Sequence, residues 1–212
     1  MPSHSTFQPP SQEESIFEIF GKFGEKRLYP KNTVILNEGD PSRCLYMIHS
    51  GRLKAFLADE QGRKIVLNIM EPGEYFGEMA LIDSEPRSAS VMTMEDSQLT
   101  LVTKEDFKNC LSKNPELATP LMFGLIRRLR ISTRKVGSLA LMDAYGRVAS
   151  ALLQLAKEQD GKLVILEKLT HQEIANIVGT SREMVSRIMH DLVQGGYISI
   201  DSKKRITLNE KP

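Results

Sequence analysis

A chain of 212 residues that is 41% hydrophobic and 26% charged has the size of roughly one and a half to two globular domains, and its composition excludes a disordered or collagen-like polymer. Its formal net charge of +1 hides an asymmetry, because residues 1–114 carry 13 Lys+Arg against 17 Asp+Glu while residues 115–212 carry 15 against 10. A basic back half suits a polyanionic partner, and the lack of any apolar run near the roughly 18 residues of a membrane span makes the cytoplasm the expected location.

The chain opens on a polar stretch with three prolines, Met1 to Ser11, and Ser11 with Glu14 forms a capping box for a short helix bearing Ile16, Phe17 and Phe20. From Leu28 onward the pattern becomes short apolar segments punctuated by Gly39, Gly51, Gly62 and Gly73, at steps of 12, 11 and 11. Between and beyond them, Cys44–Ile48, Leu53–Leu57, Ile65–Ile69, Ser88–Met94 and Leu99–Val102 have strand length and composition. Evenly spaced turns between short strands predict an antiparallel sandwich or jelly roll. Cys44 and Cys110 lack the spacing of a disulfide framework, a zinc site or an iron–sulfur cluster, and read as apolar fillers.

Phe107 to Leu111 predicts a short helix, Pro115 a restart, and Glu116–Met142 a long helix. Ala118, Met122, Leu125, Leu129, Ser132, Val136 and Leu139 recur at alternating steps of 4 and 3, the spacing of a coiled-coil seam. Such a helix spans about 40 Å and offers a dimer contact to a second copy. Ser132, followed by Thr133, is the polar exception. It either bonds back to the carbonyl of residue 128 or meets a polar group lying against the seam. Beyond Asp143 come an amphipathic helix with Val148, Leu152 and Ala156, a short strand Leu163–Leu166, two helices around a tight turn, and two small strands, Tyr197–Ile200 and Arg205–Leu208. The class is α+β. The expected division is a β-roll domain with a short N-terminal helix over 1–114, a dimerisation helix over 115–142, and a helical domain with a small hairpin over 143–212.

One stretch of the roll departs from strand logic: Phe76-Gly77-Glu78-Met79-Ala80-Leu81-Ile82, then Pro86-Arg87-Ser88-Ala89. Glycine permits close backbone approach, a carboxylate accepts from a ribose hydroxyl, and arginine offers a fork of donors to phosphate oxygens. The Ser88 hydroxyl and backbone N–H can complete an anion cradle. These residues at this spacing resemble the phosphate-binding cassette of cyclic-nucleotide-binding domains. The resemblance implies that Glu78 binds the ribose 2′-hydroxyl and Arg87 the cyclic phosphate, with Gly77, Met79 and Ser88 alongside. It extends to the run Arg127–Gly137 of the long helix, which is similar to the corresponding helix in the Crp-Fnr family of bacterial transcription regulators. There a hydroxyl pair, here Ser132 and Thr133 in reversed order, contacts the base of the nucleotide, one from each subunit.

In the basic half, Ala175 is small enough for two helices to touch, Gly179 tolerates the positive φ of a tight turn, and Val185, Ile188, Met189 and Leu192 share one face of the second helix. On another arc stand Arg182, Glu183, Ser186 and Arg187, starting at the N-terminal end that reads base edges in a helix-turn-helix. Arginine pairs with guanine and a carboxylate accepts from cytosine N4, so a Glu between two Arg suits sequence reading better than adhesion to phosphates. Thr170 and Ser181 either cap helices or touch phosphates.

Thr180–Ile188 is similar to the recognition helix of the same family, which implies reading of a TGTGA half-site by Arg182, Glu183 and Arg187. His171 stands where the family has a basic phosphate contact, and the hairpin after Tyr197 resembles the wing of a winged helix-turn-helix domain, here residues 143–212, with Lys203 and Lys204 placed to meet backbone phosphate. The segment Glu158–Lys168 is shorter than the loop by which the best-known members touch RNA polymerase, so that contact is not carried over, although RNA polymerase remains an expected partner. The resemblance implies a homodimer that binds double-stranded DNA under control of cyclic AMP, with cyclic di-GMP as the alternative effector. With no nucleophile–base pair, metal-ligand cluster or phosphate-binding loop of the NTPase type, no enzyme activity is expected.

Overall fold

The computed structural model describes residues 16–17, 19–21 and 24–209. The expected cap, Ser11 and Glu14, lies outside them. The chain divides into two compact units, residues 1–56 with 68–130 and residues 57–67 with 131–212.

The roll contains eight strands: β1 Glu25–Tyr29, β2 Val34–Leu36, β3 Cys44–Ser50, β4 Leu53–Ala58, β5 Lys64–Met70, β6 Tyr75–Phe76, β7 Ser90–Thr93 and β8 Ser97–Thr103. They form two four-stranded sheets, ordered β1-β8-β3-β6 and β2-β7-β4-β5. This is the expected antiparallel roll. The recurring glycines turn it, all four at positive φ. At Gly51 the need is double, since a Cβ there would also sit 2.7 Å from the Asp96 carbonyl oxygen.

Strand β3 reads as an unbroken apolar run because both its faces are covered. Leu45 and Met47 pack with Val102, Phe107 and Leu117, together with Ile16 and Phe20 from the N-terminal segment. Tyr46 and Ile48 pack with Leu53, Phe76 and Leu99. Strands β1, β2 and β6 were not separately expected. The last has two residues, too few to show a period.

A four-residue helix, α1 (Met79–Ile82), interrupts the roll after Gly77 and Glu78. Helix α2 (Lys104–Lys113) is capped by Thr103, whose hydroxyl accepts from Asp106 N. A 3-10 turn at Pro115–Leu117 leads into α3, Ala118–Leu141, 24 residues long. Gly124 of that helix faces Tyr75, since an added Cβ would lie 2.1 Å from the Tyr75 hydroxyl. The Tyr75 phenol donates to the Leu121 carbonyl at 3.2 Å. Glycine is therefore the residue that lets α3 sit against β6.

In the second unit, Asp143 caps α4 (Ala144–Leu155) by accepting from Gly146 N. The hairpin β9 (Lys157–Gln159) and β10 (Lys162–Ile165) follows, then α5 (His171–Val178) and α6 (Arg182–Gln194). Strands β11 (Ile198–Ile200) and β12 (Ile206–Leu208) complete a four-stranded sheet ordered β11-β12-β10-β9. One core joins Val148, Leu152, Ala175, Val185, Ile188 and Ile206 across helices and sheet. Burying these side chains contributes about 1.5–3 kcal/mol for each large aliphatic one.

Candidate functional site

The cassette begins where β6 ends. Gly77 has φ +87°, and a Cβ on it would stand 2.5 Å from Arg87 Nη1. That guanidinium is the reason for the glycine. Arg87 Nη1 donates to the Gly77 carbonyl at 2.7 Å and Nη2 to the Cys44 carbonyl at 2.6 Å. Its backbone is tied to the 39–40 turn, donating to Asp40 O and accepting from Gly39 N, both at 2.9 Å. Arg87 is only 5% exposed, yet among the described residues no carboxylate forms an ion pair with it. A buried cation without a counter-charge is costly, and two neutral carbonyls offset only part of that cost.

Glu78 is 1% exposed. One oxygen, Oε1, accepts from Arg128 Nη1 on α3, while Oε2 is buried with no hydrogen-bond partner among the described residues. Arg128 Nη2 also donates to the Tyr75 carbonyl, and the guanidinium carbon lies 5.0 Å from the Tyr75 ring centroid. Its neighbour Arg127 pairs with Glu74 at 2.6 Å. These two arginines pin α3 to the strand that starts the cassette. Sequence reasoning quoted them without giving them a role. The available signal was that Arg128 stands one helical turn before Ser132.

Met79 and Ser88 are exposed, 3.9 Å apart between Sδ and Oγ. Ser132 and Thr133 are exposed on α3, as are Ala118, Met122, Leu129, Val136 and Leu139 of the seam, with Leu125 half-buried. Leu129 and Val136 are 66% and 65% exposed. Cys110 is a core residue as expected, but Cys44 is half-buried with its Sγ 3.8 Å from Arg87 Nη2.

The cassette can take up a small anion with a hydroxyl beside its charge. Arg87 keeps N–H donors beyond the two given to carbonyls, and Glu78 Oε2 is an open acceptor. Those are the donor and acceptor that a cyclic nucleotide's phosphate and ribose need.

In the second unit the tight turn forms as expected. Ala175 is fully buried, and Gly179 adopts φ 69° with its N–H bonded to the Ala175 carbonyl at 2.9 Å. Arg182, Glu183 and Arg187 are exposed on α6, and none makes an ion pair among the described residues. A self-neutralised salt-bridged face is thereby removed as an explanation of these charges. The open choice at the two hydroxyls falls to capping. Thr170 and Glu173 form a capping box for α5, and the Ser181 hydroxyl accepts from Met184 N at 3.1 Å. Ser186 turns to His171, with Oγ 2.7 Å from the imidazole Nδ1.

The C-terminal end of α5 gathers cations that sequence reasoning missed. Lys135 donates to the Ile177 carbonyl, and Arg147 donates to the carbonyls of Val178, Gly179 and Met142. Positive charge at a helix C-terminus satisfies orphan carbonyls and complements the dipole. Burial, with the charge of Arg147 nearby, lowers the Lys135 pKa from its ordinary 10.5.

Fold and sites together define a protein with one ligand cassette and one helix-turn-helix. The cyclic nucleotide-binding domain family matches residues 26–114, and the Crp-like helix-turn-helix domain family matches residues 146–212. The chain is 37% identical over 176 residues to the cyclic AMP receptor protein of Thermus thermophilus, covering 83% of this chain and 80% of that protein. It is 34% identical over 179 residues to a CRP-like cAMP-activated global transcriptional regulator of Mycobacterium tuberculosis, covering 82% and 80%. Among solved structures, the c-di-GMP responsive global regulator CLP of Xanthomonas campestris matches with TM-score 0.81 at 27% identity, covering 93% of this chain and all of that one. The chain belongs to the Crp family of DNA-binding transcription regulators, whose members matched here are regulators and not enzymes. No helix among the described residues is long and apolar enough to cross a membrane.

Proposed function

We propose that the protein is a cytoplasmic homodimer that binds cyclic AMP at the cassette and a TGTGA-type palindrome through α6. The observation that carries the ligand reading is a buried Arg87 without a carboxylate partner and a buried Glu78 oxygen without a hydrogen-bond partner, both among the described residues. A cyclic phosphate supplies the missing negative charge, and a ribose hydroxyl supplies the missing donor. The base is assigned to Ser132 and Thr133, one helical turn beyond Arg128, by their likeness to the family's hydroxyl pair. The exposed apolar seam of α3 supports burial against a second copy, since contiguous exposed apolar rows mark association surfaces. On this reading residues 1–114 bind ligand, 115–142 dimerise and 143–212 bind DNA.

Glu78 touches both the proposed ligand site and α3 through Arg128, so ligand binding bears on how the helix is held. By reciprocity, a ligand that tightens DNA binding is itself bound more tightly by the DNA-bound form. A second reading keeps the DNA function and changes the effector to cyclic di-GMP, and the likeness to CLP favours it. Titration calorimetry with cyclic AMP, cyclic GMP and cyclic di-GMP, paired with affinity for a TGTGA palindrome with and without each, separates the two. If saturating cyclic AMP left DNA affinity unchanged, its gating role would be wrong.

A further inference from the structure

Four side chains of α6 were expected to face DNA together, but Ser186 is engaged elsewhere. Its hydroxyl lies 2.7 Å from Nδ1 of His171, the first residue of α5. The bond joins the two helices of the motif across its front. Serines within helices often donate to the carbonyl four residues back, as Ser112 does to Lys108 at 2.9 Å. Ser186 makes no such bond among the described residues, and His171 is its sole hydrogen-bond partner there. With no carbonyl taking its proton, the hydroxyl is free to donate to the Nδ1 lone pair. An imidazole that accepts at Nδ1 carries its proton at Nε2.

His171 also lines a cleft of about 560 Å³ between the two helices and the wing. The rim holds Lys168, Arg182 and Lys204, and the floor includes the buried Ile174 and Met189. Among the described residues no Asp or Glu lines it, so the cleft suits the anionic backbone of a nucleic acid. A neutral imidazole helps there only if it presents an N–H; with the other tautomer it would present a lone pair to phosphate oxygens.

We infer that Ser186 is a positioning residue for His171: its hydroxyl donates to Nδ1 and holds Nε2–H ready as a phosphate donor in the cationic cleft, leaving base reading to Arg182, Glu183 and Arg187. This rests on the proposed reading that α6 meets DNA. It takes Ser186 out of the base-reading set and makes it the support of His171, which stands where the family has a basic phosphate contact.

The test uses the full-length protein, Ser186→Ala, Ser186→Thr, His171→Ala and the Ser186/His171 double alanine. Long-range 1H–15N spectra of the free protein at pH 8.5, where an ordinary imidazole is neutral, report which nitrogen bears the proton. We expect the His171 proton on Nε2 in the unaltered protein and in Ser186→Thr, and a tautomer mixture in Ser186→Ala. A proton fixed on Nδ1 in the unaltered protein overturns the inference. Binding to a TGTGA palindrome and to random duplex then separates backbone from base contact. Ser186→Ala and His171→Ala should each weaken both by about three- to tenfold, the double variant no more than His171→Ala, with base preferences unchanged. A change of preference at one base position in Ser186→Ala alone would return Ser186 to base reading and overturn the inference. Failure of the unaltered protein to bind any duplex would instead overturn the DNA-binding reading, while the tautomer spectra would still decide the Ser186–His171 bond.

Discussion

The cassette and the recognition helix are both built around arginine, and they treat it in opposite ways. Arg87 is buried, oriented by two backbone carbonyls, and has no carboxylate partner among the described residues. Arg182 and Arg187 stand exposed to water with no ion pair among the described residues. The difference suits the two anionic partners proposed for these sites. A small anion brings one charge and few contacts, so its site must be rigid and desolvated beforehand to bind it well. A DNA duplex brings a row of charges, so its reader gains from mobile, hydrated cations that release counterions on contact. The carbonyls of Gly77 and Cys44 hold Arg87 in place without cancelling its charge, which a carboxylate would do.

The largest way to break this contrast is at Arg128. Arg128→Met leaves Glu78 buried with neither oxygen partnered, and should cost about 3 kcal/mol of stability in chemical denaturation. Glu78→Gln in the same chain should recover most of it. Arg87→Leu should leave stability nearer that of the parent but lower cyclic AMP affinity by about 100-fold in calorimetry, the loss expected for charge-assisted bonds to phosphate. An Arg87→Leu protein that still bound the nucleotide tightly would place the anion elsewhere. Arg182→Ala should cost about 1–3 kcal/mol on the specific palindrome, relax one base position, and leave ligand affinity without DNA unchanged. An equal loss on random duplex would make it a phosphate contact.

The smallest effect sharpens the contrast between buried cations. Lys135, like Arg87, points at backbone carbonyl, but lysine can lose its proton and arginine cannot. Because burial and Arg147 depress the Lys135 pKa below 10.5, the folded chain binds fewer protons than the unfolded chain just below that value. Stability then rises with pH through that window as the penalty is relieved. Unfolding midpoints of the parent between pH 8 and 10 should therefore climb relative to those of Lys135→Met, in which the difference disappears.

The sites were legible in the sequence where their parts lie close together in the chain. Gly77, Glu78 and Arg87 fall within one short stretch, and Ala175, Gly179 and Val185 within another, so residue type and spacing sufficed. Arg128 could not be found that way, because its carboxylate partner lies 50 residues earlier and the pair exists only once α3 packs on β6. The same holds for Ser186. Helical periodicity grouped it with Arg182, Glu183 and Arg187, but could not reveal that His171, 15 residues earlier, takes up its hydroxyl. In the roll, the glycine turns announced β3, β4 and β5, while the two-residue β6 left no pattern to read.

The Tyr75 ring has an optical consequence. The chain has five tyrosines and no tryptophan, so its intrinsic emission is tyrosine emission. Tyr75 lies beneath the Arg128 guanidinium with its phenol bonded to the Leu121 carbonyl, and Gly124 leaves the space for it. Any shift in the seating of α3 on β6 alters that phenol's surroundings directly, so the protein carries its own lamp at the joint between ligand cassette and long helix.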